Sequence, residues 1–285
     1  MIIKFSGRPN LNESLYSGQA FRWRAYDSWN YGILFGQIIK IRQRDNDLEF
    51  YSSSGCEEEI EPLLKRYLRL DDNLEKIYEE ISKGVQIISS IQNYSGLRIL
   101  DQEPWECMIS FICSANSNIP RISKNIEDIA NTFGEPLEMD GQLRRTFPSA
   151  DVLADVSIEE LRKLGLGFRA KYVSAAANMI SEGAIDLYTL KESSYDEALE
   201  SLVTVPGIGD KVGNCITLFS LNKLESFPVD VWIDRALREW YPKLIDKNLT
   251  RSKMRPWAQE YFGEYAGYAN QYLFHGRRLQ DKNTK

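Results

Sequence analysis

The sequence predicts an α+β protein, an antiparallel sheet domain followed by a larger all-helical domain. Three observations carry this. Apolar and polar residues alternate from about 20 to 55, the apolar spacing turns helical after about residue 96, and a Pro-Gly hairpin at 205–209 separates two helical runs. A chain of 285 residues is long enough for one large domain or two ordinary ones, each with its own core. The division is predicted at 1–95 and 96–285.

Along the chain, Phe21, Trp23 and Ala25 alternate with Arg22, Arg24 and Tyr26, and the run 31–41 continues the strand pattern. Asp45-Asn46-Asp47 is a turn, residues 48–51 form a further strand, and 60–91 read as helical. Residues 106–113 are mostly apolar without alternation, so they predict a buried helix stopping near Asn116-Ser117-Asn118. Ser157 with Glu160, and Ser194 with Glu197, have the spacing of capping boxes and mark two helix starts. Between them, residues 164–168 (Leu-Gly-Leu-Gly-Phe) turn the chain into a helix over 171–181. No internal repeat or low-complexity tract is present.

Composition excludes several classes. With 43% hydrophobic and 27% charged residues the chain is globular rather than disordered or fibrous. Cys56, Cys107, Cys113 and Cys215 are too scattered for a zinc ribbon or an iron–sulfur ligand run and read as buried, reduced thiols. The single histidine, His275, removes most His-based metal sites and a Ser-His-Asp triad using any other His. No leader and no stretch of 18 apolar residues is present, so the expectation is a soluble, intracellular protein of cytoplasm, nucleoid or nucleus, with no membrane partner. The net charge of −6 argues against nucleic acid as a partner, but it is an average. Residues 1–230 hold 24 basic against 35 acidic side chains (−11), whereas 231–285 hold 11 against 6 (+5). Arg235, Arg238, Arg251, Lys253, Arg255, Arg277, Arg278, Lys282 and Lys285 form either a phosphate-facing patch or a solvated helix surface.

The most informative stretch is 202–216. Pro206 ends one helix, and Gly207 and Gly209 permit a tight hairpin before the next: a helix–hairpin–helix. Free N–H groups at the hairpin and the following helix N-terminus suit an anion such as a DNA phosphate, although a purely structural turn has the same sequence. Lys211 opens the second helix, where the dipole opposes a positive charge and suits a nucleophilic amine; an exposed helical lysine is the plain alternative. Asp230, after the extended Phe227-Pro228-Val229, is placed to cap a helix, a role compatible with a catalytic one.

The chain resembles the helix–hairpin–helix DNA glycosylases, most closely the 8-oxoguanine DNA glycosylases. The resemblance rests on four ordered motifs: Ser17-Gly18-Gln19-Ala20-Phe21-Arg22-Trp23, the stretch 111–122, the stretch 163–172, and the hairpin with Pro228-Val229-Asp230-Val231. It implies a base-excision enzyme that turns 8-oxoguanine, preferably opposite cytosine, out of damaged double-stranded DNA. Lys211 matches the nucleophile, whose amine attacks C1′ and forms a Schiff base leading to strand cleavage by β-elimination. Asp230 matches the carboxylate that stabilises positive charge on the sugar. Gly18 matches the residue whose carbonyl accepts the N7 hydrogen peculiar to 8-oxoguanine, and Cys215 and Phe274 match groups that sandwich the base. Asn116 matches the side chain filling the vacated stack, Phe168 the aromatic wedge, and Arg121 a reader of the orphaned cytosine. Arg169 contacts that base or a phosphate, or lies on the surface.

Three departures stand out. Trp232 occupies a position that is His in animal members, Phe168 replaces a Tyr, and Asn270 stands where a longer Gln reads the base edge, reaching through water or yielding to Gln271. The resemblance implies a monomer with neither metal nor redox cofactor. The rivals are a sister glycosylase for alkylpurines or oxidised pyrimidines and a noncatalytic DNA-binding module. Lys211 argues against the monofunctional relatives.

Overall fold

The computed structural model describes the chain apart from Ser6, Arg8, Lys247, Thr284 and Lys285 and the side chains of 281–283. Of the basic residues above, Lys285 and the Lys282 side chain lie outside the described set. The chain begins with β1 (Ile2–Ile3), α1 (Leu11–Tyr16), β2 (Arg24–Tyr26), β3 (Trp29–Leu34), β4 (Gln37–Arg44) and β5 (Asp47–Ser52). The strands form one antiparallel sheet in the order β1-β5-β4-β3-β2. Helices α2 (Glu57–Tyr67), α3 (Leu74–Ile81) and α4 (Val85–Asn93) follow. Ile39, Ile41, Leu48 and Phe50 pack beneath the sheet with Leu11 and Leu15 of α1 and Ile60 and Leu64 of α2.

Two strand expectations are corrected. The run 31–41 breaks at Phe35-Gly36, where both residues have positive φ (54° and 73°) and turn β3 into β4. The strand starts at Arg24 rather than near residue 20, because 21–23 crosses between two cores. Phe21 is buried with the helices and Trp23 with the sheet, where its indole donates to the Tyr67 hydroxyl at 2.8 Å.

The larger part contains α5 (Pro104–Cys113), α6 (Ile119–Phe133), β6 (Pro136–Met139), β7 (Gln142–Arg145), α7 (Ala150–Ala154), α8 (Ile158–Leu161) and α9 (Ala170–Ser181). It continues through α10 (Leu187–Glu192), α11 (Tyr195–Leu202), α12 (Asp210–Ser220), α13 (Val231–Trp240), α14 (Arg251–Phe262) and α15 (Ala266–Asn283). The α5 helix is central, with nine of its ten residues buried. Both capping boxes form: Ser157 and Ser194 each exchange side-chain and backbone bonds with the Glu three residues on. The expectation of an all-helical second domain is corrected by the β6–β7 hairpin, which turns on Asp140-Gly141, both at positive φ. Leu137 and Met139 from this hairpin pack on Tyr31, Ile33 and Ile38, covering the sheet's second face. Among the described residues no helix is long and apolar enough to cross a membrane. Cys107, Cys113 and Cys215 are buried free thiols, but Cys56 is exposed, contrary to expectation.

Candidate active site

The hairpin 205–209 is a tight turn closed by the Ile208 N–H donating to the Val205 carbonyl at 3.0 Å. Pro206 fixes the second position and Gly207 the third, at φ +92°, the dihedral that glycine tolerates. A Cβ on Gly207 would lie 2.4 Å from the Tyr172 ring, so the hairpin rests directly on α9. Gly209 has ordinary extended backbone and open space around it; contrary to expectation, the turn does not need its flexibility. It is instead the N-cap of α12 and supplies no capping side chain, leaving the first-turn N–H groups of α12 without a side-chain acceptor. Behind the hairpin, the buried Asn214 carboxamide accepts from the Tyr195 hydroxyl and the Phe227 N–H, tying α11, α12 and the strap before α13 together.

This arrangement aims Lys211 into a cavity of about 510 Å³ between α5, α12, α13, α15 and the segment at Gly18. Lys211 Nζ donates to Ser114 Oγ at 3.1 Å and lies 5.5 Å from the centre of the Phe111 ring. Phe111 stacks on Phe219, with centroids 5.4 Å apart. Asp230 lines the same cavity and caps α13: one carboxylate oxygen accepts the Trp232 and Ile233 N–H groups, both at 2.9 Å. Burial lifts the Asp230 carboxyl above the usual carboxylate range, while the Ile233 N–H and the Lys211 charge pull it down. Cys215, one helical turn after Lys211, is pushed up to about 11 by burial and stays a neutral thiol.

Gly18 forms another part of the wall, at φ +91°. A Cβ there would sit 2.8 Å from Ile119 and 3.3 Å from Phe274. Its position is fixed by Gln19, which is fully buried, donates to the Ser14 and Arg98 carbonyls and accepts the Leu100 N–H. Phe274 and Asn270 face the cavity from α15. The Asn270 amide donates to the Pro228 carbonyl at 2.9 Å, and Gln271 reaches back to the Ser17 carbonyl at 3.4 Å. Both amides thus brace the cavity.

Outside the cavity, two loops meet. Asn116 is exposed with φ +48°, and Phe168 projects with 48% of its surface exposed. Arg121, also exposed, reaches the Gly165 carbonyl at 3.5 Å. Arg169 does not lie on the surface: it is 2% exposed and donates to the Ala115, Asn116 and Leu166 carbonyls. It clamps the Asn116 loop to the Phe168 loop, because a buried guanidinium needs acceptors and these carbonyls supply them.

The basic C-terminal patch is largely consumed internally. Arg238 and Arg251 pair with Asp234, Arg255 with Asp210, and Arg277 with Glu239, whereas Arg235 and Lys253 are exposed. His275 is structural, bridging α15 to Glu13 of α1. Ser114, Phe111, Phe21, Ser117 and Arg278 also line the cavity, a placement that sequence reasoning did not assign to them. Residue type alone gives no signal for them, though Phe21 falls inside the 17–23 motif, Phe111, Ser114 and Ser117 inside the 111–122 stretch, and Arg278 in the C-terminal basic patch.

Comparison with known proteins agrees with this layout. Residues 1–108 match the family described as 8-oxoguanine DNA glycosylase, N-terminal domain, and 109–260 match the HhH-GPD superfamily base excision DNA repair protein. The N-glycosylase/DNA lyase OGG1 of Arabidopsis thaliana is 35% identical over 273 residues, covering 90% of this chain and 74% of its own. The N-glycosylase/DNA lyase of Saccharomyces cerevisiae is 30% identical over 325 residues, covering 96% and 86%. The solved Clostridium acetobutylicum 8-oxoguanine glycosylase/lyase, in complex with dsDNA containing cytosine opposite to 8-oxoG, superposes with a TM-score of 0.92. It is 32% identical and the match covers 98% of this chain and 95% of that one.

Proposed function

The chain belongs to the 8-oxoguanine DNA glycosylase/lyase family within the HhH-GPD superfamily, and on that premise we propose how its own residues perform base excision and strand cleavage. The enzyme removes 8-oxoguanine from damaged duplex DNA and cleaves the resulting site. One observation carries the residue assignment: the Lys211 amine, Asp230 and Gly18 line one cavity large enough for an extruded base.

Lys211 Nζ attacks C1′ of the extruded nucleotide. The C1′–N9 bond breaks, its electron pair leaves with the base, and the base takes up a proton. Opening of the sugar ring gives the Schiff base; loss of a C2′ proton then expels the 3′ phosphate. Asp230, fixed by two N–H bonds, presents negative charge to the sugar as oxocarbenium character develops. The Gly18 carbonyl reads the N7 hydrogen, while Cys215 and Phe274 bracket the base from opposite sides. Asn270 bears on the base edge only if its bond to Pro228 exchanges.

Asn116 and Phe168 enter the duplex where the base has left, Arg121 reads the opposite cytosine, and the Gly207–Gly209 hairpin holds a phosphate through backbone N–H groups. Residues 1–95 thereby contribute the Gly18 carbonyl to lesion recognition and 96–285 the chemistry and the remaining base and DNA contacts, in an enzyme acting as a monomer in the compartment that holds the DNA.

Single-turnover assays on duplexes carrying several lesions, with borohydride trapping in parallel, test the reading. The wild type is expected to prefer 8-oxoguanine opposite cytosine and to form a covalent adduct, and Lys211→Gln to bind DNA without trapping. An undiminished adduct in that variant would assign the nucleophile elsewhere, and no adduct in the wild type would leave the hairpin as a mere binding module.

A further inference from the structure

We propose that Ser114 is the positioning residue of the nucleophile: its hydroxyl oxygen, together with the face of Phe111, directs the lone pair of Lys211 Nζ into the cavity. The proposal rests on Lys211 being the nucleophile. Ser114 is the C-cap of α5, and its Oγ donates to the Phe111 carbonyl at 2.6 Å. A hydroxyl has one hydrogen, so with that hydrogen committed the oxygen can only accept from Lys211, 3.1 Å away.

The Phe111 ring sets a second constraint. Lys211 Nζ lies 5.5 Å from its centre, and Phe111 is held in place by stacking on Phe219 and by an edge contact to Phe21 at 5.7 Å. An aromatic face and a hydroxyl lone pair are both electron-rich, so both attract N–H hydrogens and repel a nitrogen lone pair. For a neutral amine the favourable arrangement places its two hydrogens toward Ser114 and Phe111. The lone pair then occupies the remaining direction, into the cavity where C1′ arrives.

No carboxylate takes over this task. Among the described residues Lys211 forms no ion pair, and the bonded oxygen of Asp230 is occupied by the α13 N–H groups. Orientation of a reacting atom acts on the rate of bond formation rather than on DNA affinity, which is mostly set by phosphate contacts elsewhere.

The test compares Ser114→Ala and Ser114→Thr with wild type and Lys211→Gln in the full chain, on an 8-oxoguanine duplex opposite cytosine. DNA Kd, the single-turnover excision rate and the rate of borohydride-trapped adduct formation are measured. Ser114→Ala is expected to keep the wild-type Kd and lose roughly tenfold or more in both rates. Ser114→Thr, which keeps the hydroxyl, is expected to recover most of that loss. Wild-type rates in Ser114→Ala, or equal losses in the Ala and Thr variants, would overturn the proposal. An undiminished adduct with Lys211→Gln would overturn both it and the nucleophile assignment, separating that failure from one confined to Ser114.

Discussion

Gly18 is the residue at which local backbone geometry and the proposed lesion recognition meet most directly. Its φ of +91° is a conformation that costs an L-residue about 1–2 kcal/mol, and an added methyl would run into Ile119. Gly18→Ala is therefore expected to lower the excision rate on 8-oxoguanine by roughly tenfold or more, with only a few degrees lost in Tm; single-turnover kinetics and thermal melting check the pair. Arg121 is the complementary case on the exposed side of the site, where DNA is proposed to lie. Among the described residues its guanidinium gives up only a long bond to the Gly165 carbonyl, which suits the proposed contact with an orphaned base. Arg121→Ala is expected to relax the preference for cytosine opposite the lesion by roughly 1–3 kcal/mol; unchanged ratios across the four opposite bases would remove it from that role. For Arg169, in the separate 163–172 stretch, the sequence left base contact, phosphate contact and surface open, because exposure depends on packing.

Among the elements, α11 and α12 show how caps and turns place the proposed nucleophile. The Ser194–Glu197 capping box starts α11, the Pro206-Gly207 turn reverses the chain on Tyr172, and α12 begins with Lys211 in its first turn. Ser194→Ala removes one half of the box and is expected to destabilise the protein by about 1 kcal/mol with little effect on excision, measured by denaturant unfolding beside the activity assay. This start signal and the Pro-Gly signal were legible because each is a local hydrogen-bonding or dihedral requirement. The β6–β7 hairpin also had a local sign, Asp140-Gly141, but its flanking residues lack a clean alternation, so it passed as part of a helical region. The run 31–41 hid its turn for the opposite reason: Phe35-Gly36 interrupts an apolar pattern without an obviously polar break.

For the whole molecule, the sheet and helical parts are joined at Arg22. This buried residue pairs with Glu106 of α5 and Glu127 of α6 and donates to the Arg145 carbonyl of β7. Burial pushes Glu106 up to about 7, with Arg22 opposing the rise and Glu103 and Glu127 adding to it. Its folded pKa lies above the unfolded value, so between about pH 4.5 and 7 the folded state holds more proton and stability falls as pH rises, by roughly 1–3 kcal/mol. Glu106→Gln is expected to flatten that part of the Tm-against-pH curve; an unchanged slope would place its source in other groups.

What the sequence determined by itself was everything fixed by near neighbours along the chain: period, caps, the Pro-Gly turn, and the order of four motifs that carry the family. It also singled out Gly18, Lys211 and Asp230, the proposed recognition and catalytic residues, which stand 19 to 212 residues apart. Tertiary structure decided what each side chain faces. It spent Arg238, Arg251, Arg255 and Arg277 on internal ion pairs, turned Arg169 inward, and set Ser114 beside Lys211 from 97 residues away. The reason is that burial and hydrogen-bond partnership depend on which helices pack together, and no local pattern encodes the far side of a contact.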